Sequence, residues 1–194
     1  VKLQPDDFRA RRIVVHLDSA HAIFHSTNSR LRARTTVMDG FLAFVAFGPG
    51  AKGTINGLPV RRGVLLAADS TSEACLVVDH DDWESMTFLL PPQVVSEHLA
   101  ARQRETGFCF PRGVEFLQAD PEKVDQLFDW GKRLTITAAR QPEIFNEHKI
   151  SQKASQVEML EVLFSAIDVA EKSEPSRSER TRQAYGEMVK RAEE

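Results

Sequence analysis

Six histidines and one acidic run are the side chains of this sequence that could do chemistry. His21 and His25 are four residues apart, and the segment DHDDW surrounds His80 with three carboxylates. A metal site built on strands requires imidazole and carboxylate ligands that converge on one strand face. The His-x-His pair of barrel metalloenzymes does not occur in the sequence. We therefore predict neither a metal nor a cofactor, and we interpret Asp81 and Asp82 as hairpin residues.

Catalysis by a nucleophile or by paired carboxylates has no recognisable motif. The sequence contains no Gly-x-Ser-x-Gly segment and no cysteine beside a histidine. Cys75 and Cys109 each lie in an apolar run. Because a disulfide framework uses more cysteines in a smaller chain, both are predicted to be reduced, buried thiols. The sequence thus predicts a protein that is not an enzyme and has no catalytic residues.

Aromatic residues near the acidic run are candidates for ligand binding. Trp83 follows DHDD and precedes an apolar run, so it can stack on a ligand or pack at the rim of a barrel. Phe41, Phe44 and Phe47 share one predicted strand, where alternation turns Phe44 to one face and the other two to the opposite face. The pattern leaves open which face meets a cavity. The predicted ligand-binding residues are Phe44, His80 and Trp83.

The glycine-rich segment FGPGAKGTINGLPVRRGVLLAAD, residues 47–69, could be a phosphate loop or a series of turns. A phosphate loop needs GxxxxGK[ST] or GxGxxG running from a strand directly into a helix. Here turn and strand residues follow instead. Gly50 suits the third position of a type II turn, and Asn56-Gly57 is the pair preferred in a type I′ hairpin. The glycines are therefore predicted to form the corners of an antiparallel barrel.

Short apolar segments between turn residues fill the chain from about residue 13 to residue 92. They are rich in β-branched and aromatic residues and too short for helices. A spacing of roughly ten residues between strands suggests a sandwich or a barrel. The segment VMDGFLAFVAF is apolar on both faces, which predicts a strand that is covered on both sides.

Helical patterns begin after this region. A helix is predicted over 92–106, another over 120–140 with Asp120 as N-cap and a proline at its first position, and a third over 142–171. The last two are expected to pack antiparallel. In the third helix, apolar residues at heptad spacing predict a two-fold interface between copies of the chain. The predicted dimerisation residues are Ile150, Val157, Leu160, Phe164 and Ile167.

The remaining chain is polar. Residues 173–180 are predicted to be a linker, and residues 181–194 restart helical spacing with a single apolar stripe, which suggests the first helix of a further domain. The net charge of −3 gives no electrostatic footprint for nucleic acid over the 194 residues. No apolar run approaches the roughly 20 residues that span a bilayer, and the N-terminus is polar. We therefore expect a cytoplasmic protein without a membrane partner.

The order of these parts resembles the N-terminal region of AraC/XylS-type transcription regulators. The segment GTINGLPVRRGVLLAA is similar to a barrel hairpin of that family, and LLPPQVV is similar to its last strand and first helix. QPEIFNEHKISQKASQVEMLEVLFSAI is similar to its helical region, and RTRQAYGEMVKRAEE to the helix that opens its DNA-binding domain. The resemblance implies an α+β fold with a cupin-like antiparallel β-barrel, an antiparallel helical pair and a C-terminal partial helix.

The resemblance also divides the chain and gives it a function. It implies a sensor domain at 1–118 that includes the helix 92–106, a dimerisation segment at 119–172, the linker 173–180 and a truncated DNA-binding domain at 181–194. A small-molecule effector would bind in the barrel of a homodimer, and DNA would be bound only through the missing helix-turn-helix domain. Two alternatives stay open: a cupin-class enzyme of isomerase or dioxygenase type without a recognisable metal motif, and a dimerisation module with a filled barrel.

Overall fold

In the computed structural model, residues 8–79, 82–103, 108–167, 171–172, 180–181, 184–185 and 188 are described. Within those ranges the strands are β1 Ala10–Leu17, β2 Ala20–Thr27, β3 Leu31–Thr36, β4 Leu42–Phe47, β5 Gly53–Ile55, β6 Leu58–Pro59, β7 Val64–Ala68, β8 Glu73–Val78, β9 Trp83–Leu90, β10 Val114–Gln118 and β11 Glu171–Lys172. The helices are α1 Pro92–Ala101, α2 Pro121–Arg140, α3 Glu143–Asn146 and α4 Lys149–Ile167.

The strands form two antiparallel sheets. The larger sheet has the order β1-β2-β9-β4-β7-β10-β11, and the smaller sheet has the order β3-β8-β5-β6. No ladder joins the two sheets in the part of the chain that the structure describes. The α+β class is therefore confirmed, but the described strands do not close into the predicted barrel. The chain first passes from the larger sheet to the smaller one through residues 28–30, between β2 and β3.

Side chains of the larger sheet alternate between two apolar layers. Phe24, Phe44 and Phe88 are buried against the helices in one cluster, whereas Phe47 and Leu66 belong to a second cluster that faces the smaller sheet. Strand β4 is buried on both faces, as its sequence predicts. This alternation follows from the period of two in a strand. One set of side chains packs against the helices, and the other set faces the space between the sheets.

Helix α2 begins where its sequence predicts. The Asp120 carboxylate accepts a hydrogen bond from the Glu122 backbone N–H at 2.9 Å, which caps the helix. Gly131 brings the helix close to β9, since a Cβ at this position would lie 2.7 Å from Cε of Met86 and 3.0 Å from Cζ of Phe88. A larger residue there would require the side chains of Met86 and Phe88 to move.

The predicted helix over 142–171 is broken in two. Helix α3 ends at Asn146 and α4 begins at Lys149, so Glu147 and His148 separate them. Helix α1 ends at Ala101 rather than near 106, and residues 104–107 lie outside the described ranges. None of the described helices is long and apolar enough to cross a membrane.

The heptad residues of α4 differ in burial. Leu160 and Phe164 are buried inside the chain at 4% and 2% exposure, and Ile167 packs on the same core. Ile150 and Val157 are exposed at 86% and 45%. Over two heptads a straight α-helix drifts by only about 40°, so the difference in burial depends on what covers each turn of α4 rather than on the repeat. The core of the chain itself therefore contains Leu160, Phe164 and Ile167. Of the predicted interface residues, only Ile150 and Val157 remain accessible to a second copy.

The turn predictions are met in part. Asn56 and Gly57 have φ values of 50° and 78° and connect β5 directly to β6, which confirms the hairpin turn. The turn around Gly50 forms as well, with the Ala51 N–H donating to the Gly48 carbonyl at 3.0 Å. Its predicted type II geometry is wrong, because Gly50 does not have the positive φ that this type requires.

The cysteines are less buried than predicted, and most of the predicted C-terminal elements lie outside the described residues. Cys75 and Cys109 are free, but Cys75 is only half-buried and Cys109 is exposed. The predicted linker falls mostly outside the described residues. Arg180, the last residue of the predicted linker, is helical, as are residues 181, 184–185 and 188 of the predicted last helix, with Tyr185 and Met188 exposed.

Candidate ligand cavity between the sheets

A cavity of about 480 Å³ lies between the two sheets. Its walls are alternate residues of the strands, because every second side chain points to the same face. The larger sheet contributes β1, β2, β4, β7, β9 and β10, and the smaller sheet contributes β3, β5 and β8. The inner lining is mainly apolar and includes Val45, Phe47, Ile55, Leu66 and Leu76.

Trp83 lines this cavity at the start of β9. Its side chain is 3% exposed, and its ring meets Phe47 edge-on with the centroids 5.6 Å apart. Of the other two predicted ligand-binding residues, His80 lies outside the described residues. Phe44 is fully buried on the opposite face of β4, among the helix-facing residues, so it does not line the cavity. Strand parity thus separates Phe44 from Trp83.

Four basic or titratable side chains form one wall of the cavity. Arg12 and His16 come from β1, and His21 and His25 come from β2. The antiparallel register places Arg12 opposite His25 and His16 opposite His21. The Nδ1 atoms of His16 and His21 are 2.9 Å apart, and the rings meet edge-on. Four-residue spacing puts His21 and His25 on one strand face, a signal that the sequence contained.

Burial keeps the two inner histidines neutral near pH 7. The pKa of His21 is lowered from its ordinary value of 6.5, first by burial and then by nearby His16. The pKa of His25 is lowered first by burial and then by the charge of Arg12. Both causes disfavour the imidazolium form. Arg12 is therefore the permanent cation of this wall, and His21 and His25 gain charge only when an anion arrives or the pH falls.

Hydroxyl groups complete the polar part of the lining. They belong to Thr35, Thr36, Ser72, Ser85 and Thr87. No Asp, Glu or Lys lines the cavity among the residues that the structure describes. In the same residues, no three His, Cys, Asp or Glu side chains gather as metal ligands. The lining therefore offers apolar contact, hydrogen bonds and positive charge.

Strand β9 connects this cavity to the helical layer. Trp83 faces the cavity, and the next residue, Glu84, contacts α2 on the opposite side. The carboxylate of Glu84 accepts hydrogen bonds from the Lys132 ammonium at 2.6 and 2.8 Å. The same ammonium lies 5.8 Å from the ring centroids of Phe24 and Phe128. A displacement of β9 at the cavity would therefore act on a partly buried ion pair of α2.

Comparisons with known proteins identify a related fold. No protein-family model matches the sequence. A search of curated proteins also finds no match. Among solved structures, the AraC-like transcriptional activator CuxR is similar, with a TM-score of 0.56 and 10% sequence identity over 92% of this chain. This chain covers 64% of the length of that structure. At this identity the similarity shows an AraC-like fold, which confirms the resemblance of the sequence at the level of the fold.

Proposed function

We propose that this chain is the effector-sensing region of an AraC-like transcription regulator and that the cavity between the sheets is its receptor site. The observation that carries the proposal is the cavity of about 480 Å³, lined by both sheets of a fold shared with a transcriptional activator. Small-molecule sites are concave, mostly apolar and furnished with a few polar groups. The lining has this composition, with Trp83 and the basic wall among its polar and aromatic groups.

A sensor also needs a way to report occupancy. A ligand changes a regulator only if it binds two arrangements of the protein unequally. In our proposal, the ligand displaces β9 at Trp83, and Glu84 transmits the displacement to Lys132 on α2. Helix α2 packs on α4. The helical layer would thus change its position relative to a second copy or to a DNA-binding domain.

Dimerisation through α4 is part of the proposal. Ile150 and Val157 are exposed apolar residues on this helix and are available to a second copy. Two-fold symmetry of the dimer would fix the spacing of its two DNA-binding domains along a duplex. Binding of DNA belongs, in this proposal, to a helix-turn-helix domain outside the chain described here, and the protein would act in the cytoplasm with its DNA.

A thermal-shift screen of small metabolites tests the receptor site. A ligand that binds only the folded chain raises its melting temperature. Ala43→Leu adds volume inside the cavity, because Ala43 lines it and is buried. We expect compounds that stabilise the parent to lose most of that effect in Ala43→Leu. Compounds that stabilise both proteins equally would place the site elsewhere and contradict the proposal.

Fluorescence of Trp83 provides an independent readout of the same screen. The chain has two tryptophans, so Trp130→Phe leaves Trp83 as the reporter. A ligand in the cavity is expected to shift the fluorescence emission of Trp83.

Metal analysis of the purified protein addresses the enzyme alternative, since stoichiometric iron, zinc or manganese would favour a cupin-class enzyme over a sensor.

A further inference from the structure

The mouth of the cavity lies where the two sheets fail to close. Strand β1 is the edge of the larger sheet and β3 is the edge of the smaller one. Both edges line the cavity, and their lining residues are exposed, whereas the residues deeper in are buried or half-buried. The exposed lining residues are Arg12, Val14, His16, Thr35 and Thr36 on these edges and Met38 just after β3.

Charge and polarity are sorted along the axis from this mouth to the interior. Arg12 lies at the mouth, and His21 and His25 are half-buried just inside. Beyond them the lining is mainly apolar, with Val45 and Leu66 on the larger sheet and other aliphatic residues on the smaller one, and Ser85 and Thr87 add two hydroxyls on β9. A ligand that matches this order has a charged head group at the mouth and an apolar body in the interior.

The sign of the head group follows from the charged residues that face it. From β1, Arg12 and His16 face the imidazoles of β2. From β9, the residues opposite His25 and His21 are Ser85 and Leu89, which carry no charge. Across the cavity, the described lining of β3 and β8 is hydroxylic or apolar. A cation would be repelled by Arg12 and would find no carboxylate in the described lining, whereas an anion meets an arginine and two imidazoles that can take up protons.

We propose that the effector is a monocarboxylic acid with an apolar body, bound with its carboxylate at Arg12 and His25 and its body between the sheets. This proposal rests on the receptor function proposed above and names the ligand class for that site. A planar guanidinium can hold a carboxylate through two parallel hydrogen bonds. The hydroxyl of Thr35, which pairs with the lining residue Ala74, is available to the same head group at the mouth.

Matched pairs of acids and alcohols test the ligand class. Octanoate, decanoate and 4-phenylbutyrate are compared with octan-1-ol, decan-1-ol and 4-phenylbutan-1-ol by titration calorimetry and thermal shift. The alcohols keep the body and remove the charge. We expect at least one acid to bind about tenfold or more tightly than its alcohol, because a hydrogen-bonded charge contributes that much.

Two arginine variants locate the head group. Arg12→Gln removes the cation at the mouth, and because the residue is exposed on an edge strand the fold is expected to survive. Arg11→Gln is the matched control, since Arg11 is the next residue of β1 and points to the opposite face. We expect Arg12→Gln to weaken acid binding about tenfold and leave alcohol binding unchanged, whereas Arg11→Gln changes neither.

Proton uptake gives a second signature that simple apolar binding lacks. An anion beside His21 and His25 favours their protonated forms, so binding near pH 6 is expected to take up protons, measured in buffers of different ionisation enthalpy. The double variant His21→Gln/His25→Gln should abolish the uptake.

The outcomes separate the ligand class from the receptor function. Equal binding of acids and alcohols, lost in Ala43→Leu, would overturn the carboxylate and leave the receptor site in place. No binding by any pair would overturn the ligand class, and the metabolite screen would then decide the receptor function. Acid binding that Arg12→Gln does not weaken would overturn the assignment of the head group.

Discussion

His21 and His25 make the stability of the fold depend on pH. Their pKa values are lowered from 6.5 in the folded chain, so the unfolded chain binds more protons in the window just below pH 6.5. Their contribution is complete above about pH 6.5 and is lost as the pH falls through the lowered values. We expect the free energy of unfolding by urea to decrease from pH 7 to pH 5, and to decrease less in His21→Gln/His25→Gln.

His148→Gln is the control for this pH dependence, because His148 is exposed between α3 and α4. It should follow the parent. A double variant whose stability falls as steeply as that of the parent would assign the pH dependence to other groups.

Gly53 illustrates a residue that is required for close approach of two strands. A Cβ at Gly53 would lie 2.1 Å from the backbone carbonyl oxygen of Val77 in the adjacent strand β8. That oxygen cannot retreat without breaking the ladder. We expect Gly53→Ala to lower the free energy of unfolding by about 2–4 kcal/mol, measured by urea denaturation.

Gly40→Ala separates this steric effect from backbone strain. Gly40 has a φ of +80° but open space around its Cβ position, so only conformational strain of about 1 kcal/mol is expected. Equal losses in the two variants would show that steric contact at Gly53 is not the dominant cost.

Single residues also show what the sequence could and could not predict about the site. Strand alternation predicted that Phe44 and Phe47 face opposite sides, but not which side holds a cavity. That depends on whether helices or the second sheet cover a given face, which is decided by packing between distant segments. Trp83 lines the cavity, as a ligand-binding residue would. Its contact with a ligand stays a prediction. His16 was missed as a cavity residue, although its position before a tight turn makes it the strand partner of His21.

Helix α4 carries the predicted contact with a second copy. Because Ile150 and Val157 are exposed, Ile150→Glu/Val157→Glu should leave the melting temperature nearly unchanged. If α4 forms the interface, the parent has the mass of a dimer in light scattering and the double variant has the mass of a monomer.

Ile136→Glu serves as the control on the neighbouring helix. Ile136 is 37% exposed on α2, so Ile136→Glu introduces one negative charge outside the proposed interface, and this variant should remain dimeric. A dimeric Ile150→Glu/Val157→Glu variant would place the interface elsewhere, and a monomeric parent would contradict dimerisation through this chain alone.

Local signals decided how well each helix was predicted. Helix α2 has an N-cap, a proline at its first position and a long apolar stripe, and its bounds agree with the prediction. The region of α3 and α4 lacks such a signal at the break near His148, so the heptad pattern was extended through it. Heptad spacing also cannot tell a face buried within the chain from one buried between copies, which is why Leu160 and Phe164 were assigned to the interface.

The arrangement of the whole chain was predictable from the order of its elements more than from any motif. Strands followed by helices give an AraC-like fold even at 10% identity to a solved member. Closure of the sheets was not predictable, because open sandwiches and closed barrels share the same alternation of apolar residues. The open side matters to the site, since the unpaired edges β1 and β3 form the mouth of the cavity.

The predicted boundary between residues 118 and 119 can be tested on the complete chain. One apolar cluster contains Phe44 and Phe88 of the larger sheet together with Leu127 of α2 and Phe164 of α4. Separating the helices would expose these side chains to water, at a cost of roughly 25 cal/mol per Å² of apolar surface. We therefore expect the sheets and helices to unfold as one cooperative unit rather than as two domains.

The two tryptophans report on the two layers separately. Trp130→Phe leaves Trp83 between the sheets, and Trp83→Phe leaves Trp130, which lies on α2 with its ring centroid 6.2 Å from that of Phe88. Circular dichroism provides a common reference for both variants, because each substitution shifts stability by its own amount. In each variant we expect fluorescence and circular dichroism to give the same urea midpoint, since coincident transitions are the mark of a two-state domain.

A fluorescence transition of Trp130 that precedes the loss of strand signal would instead make the helical segment a separate unit. The sensor would then transmit its state through a hinge rather than through a shared core.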